Sequence, residues 1–311
     1  MTSLIYGCMR IGGSWDGTPP DDDTRRAAFA ALDAAWEAGY RIFDHADIYC
    51  AGNSERVFGE WLAAHPGLRS EMLLQSKCGI RLGDPVMYDF SRDHILSSVD
   101  GILERLGVER LDSLLLHRPD PLVEPEEVAA AFDELERTGK VAAFGVSNHS
   151  AMQIELLQRT LDQRLSANQM EVSLAHPDLI TTGVAVNQRE PDYPQRAADT
   201  VEYCRLHDIT LQAWSPLAHG RYSGAGDKNA GDTNAEDNAA TRMVADLARE
   251  RGVSREAVVL AWIMRHPARI VPVVGSTNPE RIVAAAQAGD VLISREEWYG
   301  LLQAARGSGM P

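Results

Sequence analysis

Polar side chains that could move a proton follow three neighbouring apolar segments of the chain. Asp44 ends the segment RIFD with Tyr49 five residues later, Lys77 ends MLLQSK, and His117 follows DSLLL. A lysine that ends an apolar strand has little water around it, so its ammonium needs an anionic partner such as Asp44. A cation beside Tyr49 stabilises the phenolate, and we expect it to lower the tyrosine pKa from about 10.

Together these four residue types favour proton donation coupled to the arrival of a hydride. The phenol of Tyr49 gives its proton to a carbonyl oxygen as that oxygen gains negative charge, and His117 hydrogen-bonds and orients the same oxygen. Taken alone, Lys77 fits a surface lysine whose stem lies along apolar surface, and His117 fits a structural histidine. Their occurrence after successive apolar segments favours a site.

Eight short apolar segments alternate with helical patterns along the chain. Their continuous apolar character is typical of strands buried on both faces of a parallel sheet. The predicted strands are 4–7, 41–44, 72–77, 112–116, 141–146, 167–170, 210–214 and 270–274. The predicted helices are 24–38 with Gly39 as its stop, 54–64, 92–106, 125–138, 150–159, 197–207, 239–265 with a break at Gly252, 278–288 and 294–306.

The regular alternation of strand and helix, without a break in composition, predicts one (β/α)8 TIM barrel over residues 1–311 with an extra C-terminal helix. The alternative, a doubly wound sheet, usually has a GxGxxG turn after its first strand, and GCMRIGGSW does not fit that pattern. Long loops at 171–196 and 218–238 leave the carboxyl ends of strands, where such barrels build their sites. The second loop could close over a ligand or be a surface insertion.

Composition excludes several classes of partner. The net charge of −15 and the pI of about 5.0 disfavour binding to nucleic acid and to anionic membranes. The four cysteines are far apart and lack metal-ligand spacing, so we expect reduced thiols. The first residues do not resemble a signal peptide, and no run approaches the ~20 apolar residues of a membrane helix. These features predict a cytoplasmic protein.

The order of motifs along the chain resembles that of the aldo-keto reductase family, and in particular a bacterial subgroup of oxidoreductases. The motifs are FDHADIY, SKCG, LLLHRPDP, GKVAAFGVSN, NQ, AWSPLAHGR and VPVVGSTNPERI, and the resemblance extends from Gly7 to about Ala288. It implies an NADP(H)-dependent enzyme that reduces a small-molecule aldehyde or ketone and is monomeric. The family's catalytic tetrad falls on Asp44, Tyr49, Lys77 and His117.

The resemblance also implies a set of cofactor-binding residues. The positions that hold the nicotinamide carboxamide match Ser147, Asn148 and Gln169, and the aromatic residue that stacks on the nicotinamide ring matches Trp214. The pyrophosphate-binding loop matches Ser215, Leu217 and Gly220. The segment that binds the adenosine 2′-phosphate matches Ser276, Thr277 and Arg281. The last group has independent physical support, because backbone N–H groups at a helix start bind anions and an arginine adds a charge-assisted hydrogen bond. This favours NADP over NAD, although Arg281 alone also fits a solvated helix residue.

A few positions depart from the family pattern. Cys50 stands where the subgroup usually has glycine, which alters the loop or exposes a thiol. Gly275 stands where some members have a phosphate-binding lysine. Ala284 and Ala285 replace polar residues that often contact adenine, which weakens the prediction of tight NADP selectivity.

The predicted substrate pocket contains Met9, Trp15, Tyr88 and Arg118, together with the two long loops. Arg118 occupies a place where an aromatic residue is common. Its cation would favour a polar or anionic carbonyl substrate, or it would pair with Asp47 or Asp120.

Two other functions compete with carbonyl reduction. A metal-dependent barrel hydrolase would use His45, Asp47, His117 and His149 as ligands, but it leaves Lys77 and Tyr49 without a role. A non-catalytic sensor would bind the nicotinamide nucleotide without turnover. The intact set of four residues favours the enzyme and a site without metal.

Overall fold

A closed barrel of parallel strands forms the centre of the structure. The computed structural model describes residues 2–183, 199–222 and 238–310. The strands are β1 (Ile5–Gly7), β2 (Ile42–Asp44), β3 (Leu73–Cys78), β4 (Ile80–Arg81), β5 (Met87–Tyr88), β6 (Ser113–Leu116), β7 (Phe144–Ser147), β8 (Leu165–Glu171), β9 (Thr210–Trp214) and β10 (Val271–Val274). Eight of them close in the order β1-β10-β9-β8-β7-β6-β3-β2, which confirms the predicted (β/α)8 barrel, and β4 and β5 form a separate antiparallel hairpin.

Helices follow the barrel strands as the periodicity predicted. They are α1 (Asp22–Glu37), α2 (Asn53–Ala64), α3 (Arg92–Leu106), α4 (Pro125–Arg137), α5 (Ala151–Gln158), α6 (Asp178–Thr181), α7 (Thr200–Leu206), α8 (Ala239–Arg251), α9 (Arg255–Met264), α10 (Pro279–Ala286) and α11 (Arg295–Arg306). Gly39 follows the end of α1 and Gly252 separates α8 from α9, both at positive φ, as helix-ending glycines do.

The apolar faces of strands and helices pack against each other around the barrel. Phe144 of β7 stacks on Phe132 of α4 with ring centroids 4.0 Å apart, and Phe43 of β2 contacts Phe58 of α2 at 5.3 Å. All four rings are almost fully buried, and removing such surface from water is the main force that holds the layers together. The packing fixes the strand ends that carry the polar residues.

The structure also shows the state of the cysteines and the character of the helices. All four cysteines are free and buried. Within the described ranges, no helix has both the length and the apolar composition needed to cross a membrane. Residues 184–198 and 223–237 lie outside the described residues, and they include half of the loop 171–196 and most of the loop 218–238. The alternative that the second loop closes over a ligand therefore falls outside them too.

The predicted C-terminal helix α11 is joined to α9 by a reciprocal pair of tryptophans. The indole N–H of Trp262 donates to the backbone oxygen of Trp298 at 3.0 Å, and that of Trp298 donates to the backbone oxygen of Trp262 at 3.0 Å. The rings stack with centroids 5.3 Å apart. Because Trp262 lies in the last turn of α9, its oxygen belongs to the group that a helix end leaves without an intrahelical donor.

We predict that Trp298→Phe lowers the free energy of unfolding by about 1 kcal/mol, because the stacking ring remains but the oxygen of Trp262 loses its donor. Denaturant titration followed by circular dichroism measures the change. Trp15→Phe is the matched control, since Trp15 is 50% exposed and should leave stability unchanged. Equal stability of Trp298→Phe and the wild type would show that the hydrogen bond contributes nothing.

Candidate active site

A cavity of about 790 Å³ opens at the carboxyl ends of the barrel strands. Asp44, Tyr49 and His117 line it, and Lys77 lies directly beneath, 1% exposed. These residues come from β2, β3 and β6 or the turns that follow them, and the three strands are neighbours in the barrel. The structure therefore brings together all four residues that the sequence singled out.

Lys77 is the centre of this group. Its Nζ donates to the Asp44 carboxylate at 2.7 and 2.8 Å, to the backbone oxygen of His45 at 2.7 Å, and to Tyr49 Oη at 3.1 Å. Burial alone would lower the pKa of Lys77, but Asp44 and then Tyr49 raise it above its ordinary value. The ammonium therefore stays charged, and each of its three protons has an acceptor.

Tyr49 differs from the expectation in its pKa. Burial raises the pKa of Tyr49 above its ordinary value, and the opposing effect of Lys77 does not cancel this rise. The predicted lowering was therefore wrong for the free protein, because the loss of water outweighs the nearby cation. Since Tyr49 Oη accepts from Lys77, its own proton points away from the ammonium. A neutral phenol with a proton to donate is the form that a general acid requires.

His117 is a neutral imidazole in this setting. Burial, followed by the charges of Lys77 and Arg118, holds its pKa well below the ordinary value. Its buried Nδ1 has no hydrogen-bond partner among the described residues. The His117 ring lies edge-on to the ring of Tyr49, with centroids 6.0 Å apart. A neutral imidazole beside the phenol can polarise an oxygen without competing as the acid.

The turn after Tyr49 holds a strained backbone. Cys50 and Ala51 have φ of 49° and 54°, in the left-handed region that side chains disfavour. The Cys50 thiol is buried and donates to the backbone oxygens of Met9 and Gly13 at 3.3 Å. Where the subgroup has glycine, this chain therefore ties the turn to the loop after β1 and does not expose a thiol. Strained conformations of this kind persist where the surroundings fix them.

The residues predicted to hold the nicotinamide end line the opposite wall of the cavity. Ser147 Oγ donates to the backbone oxygen of Gln169 at 2.8 Å. Asn148 Nδ2 donates to Ser147 Oγ at 2.9 Å and to the backbone oxygen of His117 at 3.2 Å, while Trp214 Nε1 donates to Asn148 Oδ1 at 3.0 Å. All four, counting Trp214, line the cavity. Both ends of the Asn148 side-chain amide are therefore hydrogen-bonded to other residues of the protein.

The residues predicted to bind the cofactor's phosphates extend from this wall to the start of α10. Asn278 caps the helix by accepting from the backbone N–H of Arg281 at 3.2 Å, and Pro279 takes the first helical position. The backbone oxygen of Ser276 accepts from Tyr6 Oη at 2.9 Å, which fixes the segment between β10 and α10. Ser215, Leu217, Gly220, Ser276, Thr277 and Arg281 all line the cavity.

Three of the four predicted pocket residues line the same cavity, namely Met9, Trp15 and Arg118. Tyr88 lies instead on the hairpin of β4 and β5, 40% exposed and outside the cavity lining. The Arg118 guanidinium lies 5.6 Å from the centre of the Trp214 ring. Within the described chain, it forms no ion pair with Asp47 or Asp120.

Several lining residues were not predicted from the sequence, because neither their type nor their position marked them as part of a site. Arg10, Ile48, Ile80 and Glu256 also face the cavity. Two more were missed beneath it: Gln75 and Gln212 are buried at 3% and 6% exposure. Each is a polar residue inside an otherwise apolar strand, which is the signal that would have found them.

The side chains considered as metal ligands have other surroundings. The ring of His45 is fully buried against Phe58 with centroids 4.6 Å apart, and burial, then Lys77, lowers the pKa of His45 to about 3. Burial and then the charge of Glu55 raise the pKa of Asp47 to about 7. His149 stacks on Phe90. Over residues 2–183, 199–222 and 238–310, no three His, Cys, Asp or Glu side chains are grouped as a metal site would need.

Known proteins are similar to this chain in sequence and in fold. The sequence profile of the Aldo/keto reductase family matches residues 3–305. The chain belongs to the aldo-keto reductase family. The predicted membership and the class of oxidoreductase are thereby confirmed. A 6-dehydroglucose reductase of Agrobacterium fabrum is 36% identical over 315 residues, which cover 99% of this chain and 95% of that protein.

Further relatives support the same conclusion. A 6-dehydroglucose reductase of Novosphingobium aromaticivorans is 36% identical over 317 residues, covering 100% of this chain and 94% of that protein. The crystal structure of an aldo-keto reductase from Klebsiella pneumoniae in complex with NADPH superposes with a TM-score of 0.76 at 24% identity, covering 99% of this chain and 92% of that one. This structural likeness shows a shared fold.

Proposed function

We propose that this aldo-keto reductase uses NADPH to reduce the carbonyl group of a small hydroxylated molecule, with Tyr49 as proton donor. The observation that carries the proposal is the buried contact of Lys77 Nζ with both Asp44 and Tyr49 Oη at the floor of the cavity. A charged ammonium in hydrogen-bond contact with a neutral phenol stabilises the phenolate that proton donation leaves behind.

The lining of the cavity fits nicotinamide adenine dinucleotide phosphate. One end offers the side chains of Ser147 and Gln169 and the flat ring of Trp214, and the other offers the N-terminus of α10 with Arg281. Backbone N–H groups and a guanidinium suit a phosphate, and an aromatic face suits a planar ring. When bound there, a reduced nicotinamide would supply the hydride that the carbonyl carbon receives.

The protein supplies the proton and the orientation. Tyr49 Oη gives its proton to the carbonyl oxygen, and Lys77 stabilises the resulting phenolate. His117, being neutral, donates a hydrogen bond from Nε2 to the same oxygen and directs it toward Tyr49. Asp44 keeps Lys77 charged and in place. The carbonyl carbon gains a hydride and its oxygen gains a proton, so an alcohol leaves the site.

The cavity mouth favours a polar, hydroxylated substrate. Trp15 lines the cavity with its ring 6.3 Å from that of Tyr49, and the cations of Arg10 and Arg118 also line it. An aromatic face packs against the C–H face of a sugar ring while arginines donate to its hydroxyls. The names of the two relatives that are 36% identical support 6-dehydroglucose as the compound to test.

We predict that Tyr49→Phe lowers kcat for the reduction of 6-dehydroglucose by 100-fold or more, because the acid is lost, while NADPH affinity changes less than about twofold. NADPH oxidation at 340 nm gives the rate, and tryptophan quenching gives the affinity. Tyr88→Phe, which lies outside the cavity lining, is the control and keeps full activity. Normal turnover by Tyr49→Phe would show that Tyr49 is not the proton donor. A wild type that binds NADPH but reduces no carbonyl compound would favour the alternative of a non-catalytic nucleotide sensor.

We predict that Arg281→Ala weakens NADPH binding by about 10- to 100-fold and NADH binding by less than about threefold, because a charge-assisted contact is lost only with the 2′-phosphate. Isothermal titration with both nucleotides measures the two affinities. Arg281→Lys, which retains the charge, should recover part of the preference. Equal weakening for both nucleotides would contradict the assignment of the 2′-phosphate.

We predict that Arg118→Leu lowers kcat/KM for 6-dehydroglucose by about tenfold and leaves benzaldehyde reduction unchanged or faster, since only the sugar uses the guanidinium donors. Parallel assays of the two aldehydes with wild type and variant measure the ratio. A wild type that prefers benzaldehyde, or a variant that loses both activities equally, would refute the proposed substrate class.

A further inference from the structure

A closed network of amides lies beneath the nicotinamide end of the cavity. Gln75 Nε2 donates to Asp44 Oδ1 at 2.6 Å and to Gln212 Oε1 at 2.8 Å. Gln169 Nε2 donates to the same two oxygens at 3.0 and 2.9 Å. Gln212 Nε2 donates to Gln75 Oε1 at 2.9 Å. All four side chains are buried, and β2, β3, β8 and β9 each contribute one.

The direction of every amide in this network follows from Asp44. An ionised carboxylate only accepts hydrogen bonds, so both Gln75 and Gln169 must turn their Nε2 groups toward it. Each Nε2 carries a second hydrogen, and the Oε1 of Gln212 accepts both. The second hydrogen of Gln169 Nε2 is therefore accepted by Gln212, so that both N–H donors of Gln169 are hydrogen-bonded inside the barrel.

The side-chain oxygen of Gln169 is available to accept a hydrogen bond from a ligand in the cavity. Gln169 lines the cavity, and its Oε1 accepts no hydrogen bond from the described residues. By contrast, both ends of the Asn148 amide are engaged, by Trp214, Ser147 and the backbone of His117. Gln169 thus presents an acceptor, with its donors turned away.

We propose that Gln212 is a positioning residue, which together with Asp44 fixes Gln169 with its oxygen toward the cofactor so that Gln169 accepts from the N–H₂ group of the nicotinamide carboxamide. Gln212 itself is absent from the cavity lining and acts only through Gln169. The inference rests on the proposed binding of NADP(H). It assigns a function to a buried polar residue in the apolar strand TLQAW.

The test compares three nucleotides and three proteins. The nucleotides are NADP⁺, its 3-acetylpyridine analogue, in which a methyl group replaces the carboxamide N–H₂, and 2′-phospho-ADP-ribose, which lacks the nicotinamide. The proteins are the wild type, Gln212→Met and Gln212→Glu. Methionine fills the space of the Gln212 side chain without forming hydrogen bonds. A neutral glutamate side chain instead offers a carbonyl oxygen and one O–H donor in place of the oxygen and an N–H donor of the amide. Isothermal titration gives each dissociation constant.

The wild type should bind NADP⁺ about tenfold more tightly than the acetylpyridine analogue, the effect of one hydrogen bond. Gln212→Met should reduce this ratio to about twofold with unchanged affinity for 2′-phospho-ADP-ribose, and Gln212→Glu should restore it. A ratio that survives in Gln212→Met, a wild type that does not discriminate, or equal weakening of all three ligands would overturn the inference while leaving the proposed function intact. A wild type that binds neither NADP⁺ nor 2′-phospho-ADP-ribose would overturn both.

Discussion

The ion pair between Lys77 and Asp44 sets the requirements that the surrounding barrel meets. Both side chains are buried to within 2% of full burial, and an ammonium in such a place needs an anion and full hydrogen bonding. Pairs of this kind seldom add net stability, because the loss of hydration offsets the attraction. We infer that the pair is retained for chemistry: it keeps a cation 3.1 Å from the phenol of Tyr49. Removing one partner alone would leave an uncompensated charge in the barrel.

The barrel satisfies this requirement by placing the polar residues on adjacent strands. Asp44 ends β2 opposite Gln75 of β3, and Lys77 lies opposite Leu115 of β6, one strand further round. Strands β7, β8 and β9 continue the barrel beyond β6, and the amides of Asn148 and Gln169 and the indole of Trp214 line the cavity. Through Gln169 and Gln212, the same carboxylate that holds Lys77 also orients an amide on the opposite wall. The proposed acid and the proposed nicotinamide end of the site thus share one anchor.

Much of this arrangement could be predicted from the sequence because parallel strands are continuously apolar and end in polar residues. The barrel strands, the break at Gly252 and the grouping of the four residues all follow from local pattern and strand order. The pKa of Tyr49 could not be predicted, since it depends on the balance between burial and a cation at a distance that only the folded chain defines. Tyr88 was placed by its position after β3, but its hairpin carries it outside the cavity lining. Gln75 and Gln212 belong to no motif, and their roles depend on contacts between residues 137 positions apart.

The most direct test of the account is the pH dependence of the rate of NADPH oxidation in a single turnover of the wild type. Reduction needs a protonated acid, so the rate falls as pH rises through the pKa of the group that donates. The pKa of Tyr49 lies above the ordinary value for tyrosine, and that of His117 lies well below the ordinary value for histidine. The account therefore predicts a rate that is constant through the neutral range and declines only in the alkaline range, above the ordinary pKa of a tyrosine side chain. A decline whose midpoint lies at neutral pH or below would identify a histidine as the acid and contradict the central role of Tyr49.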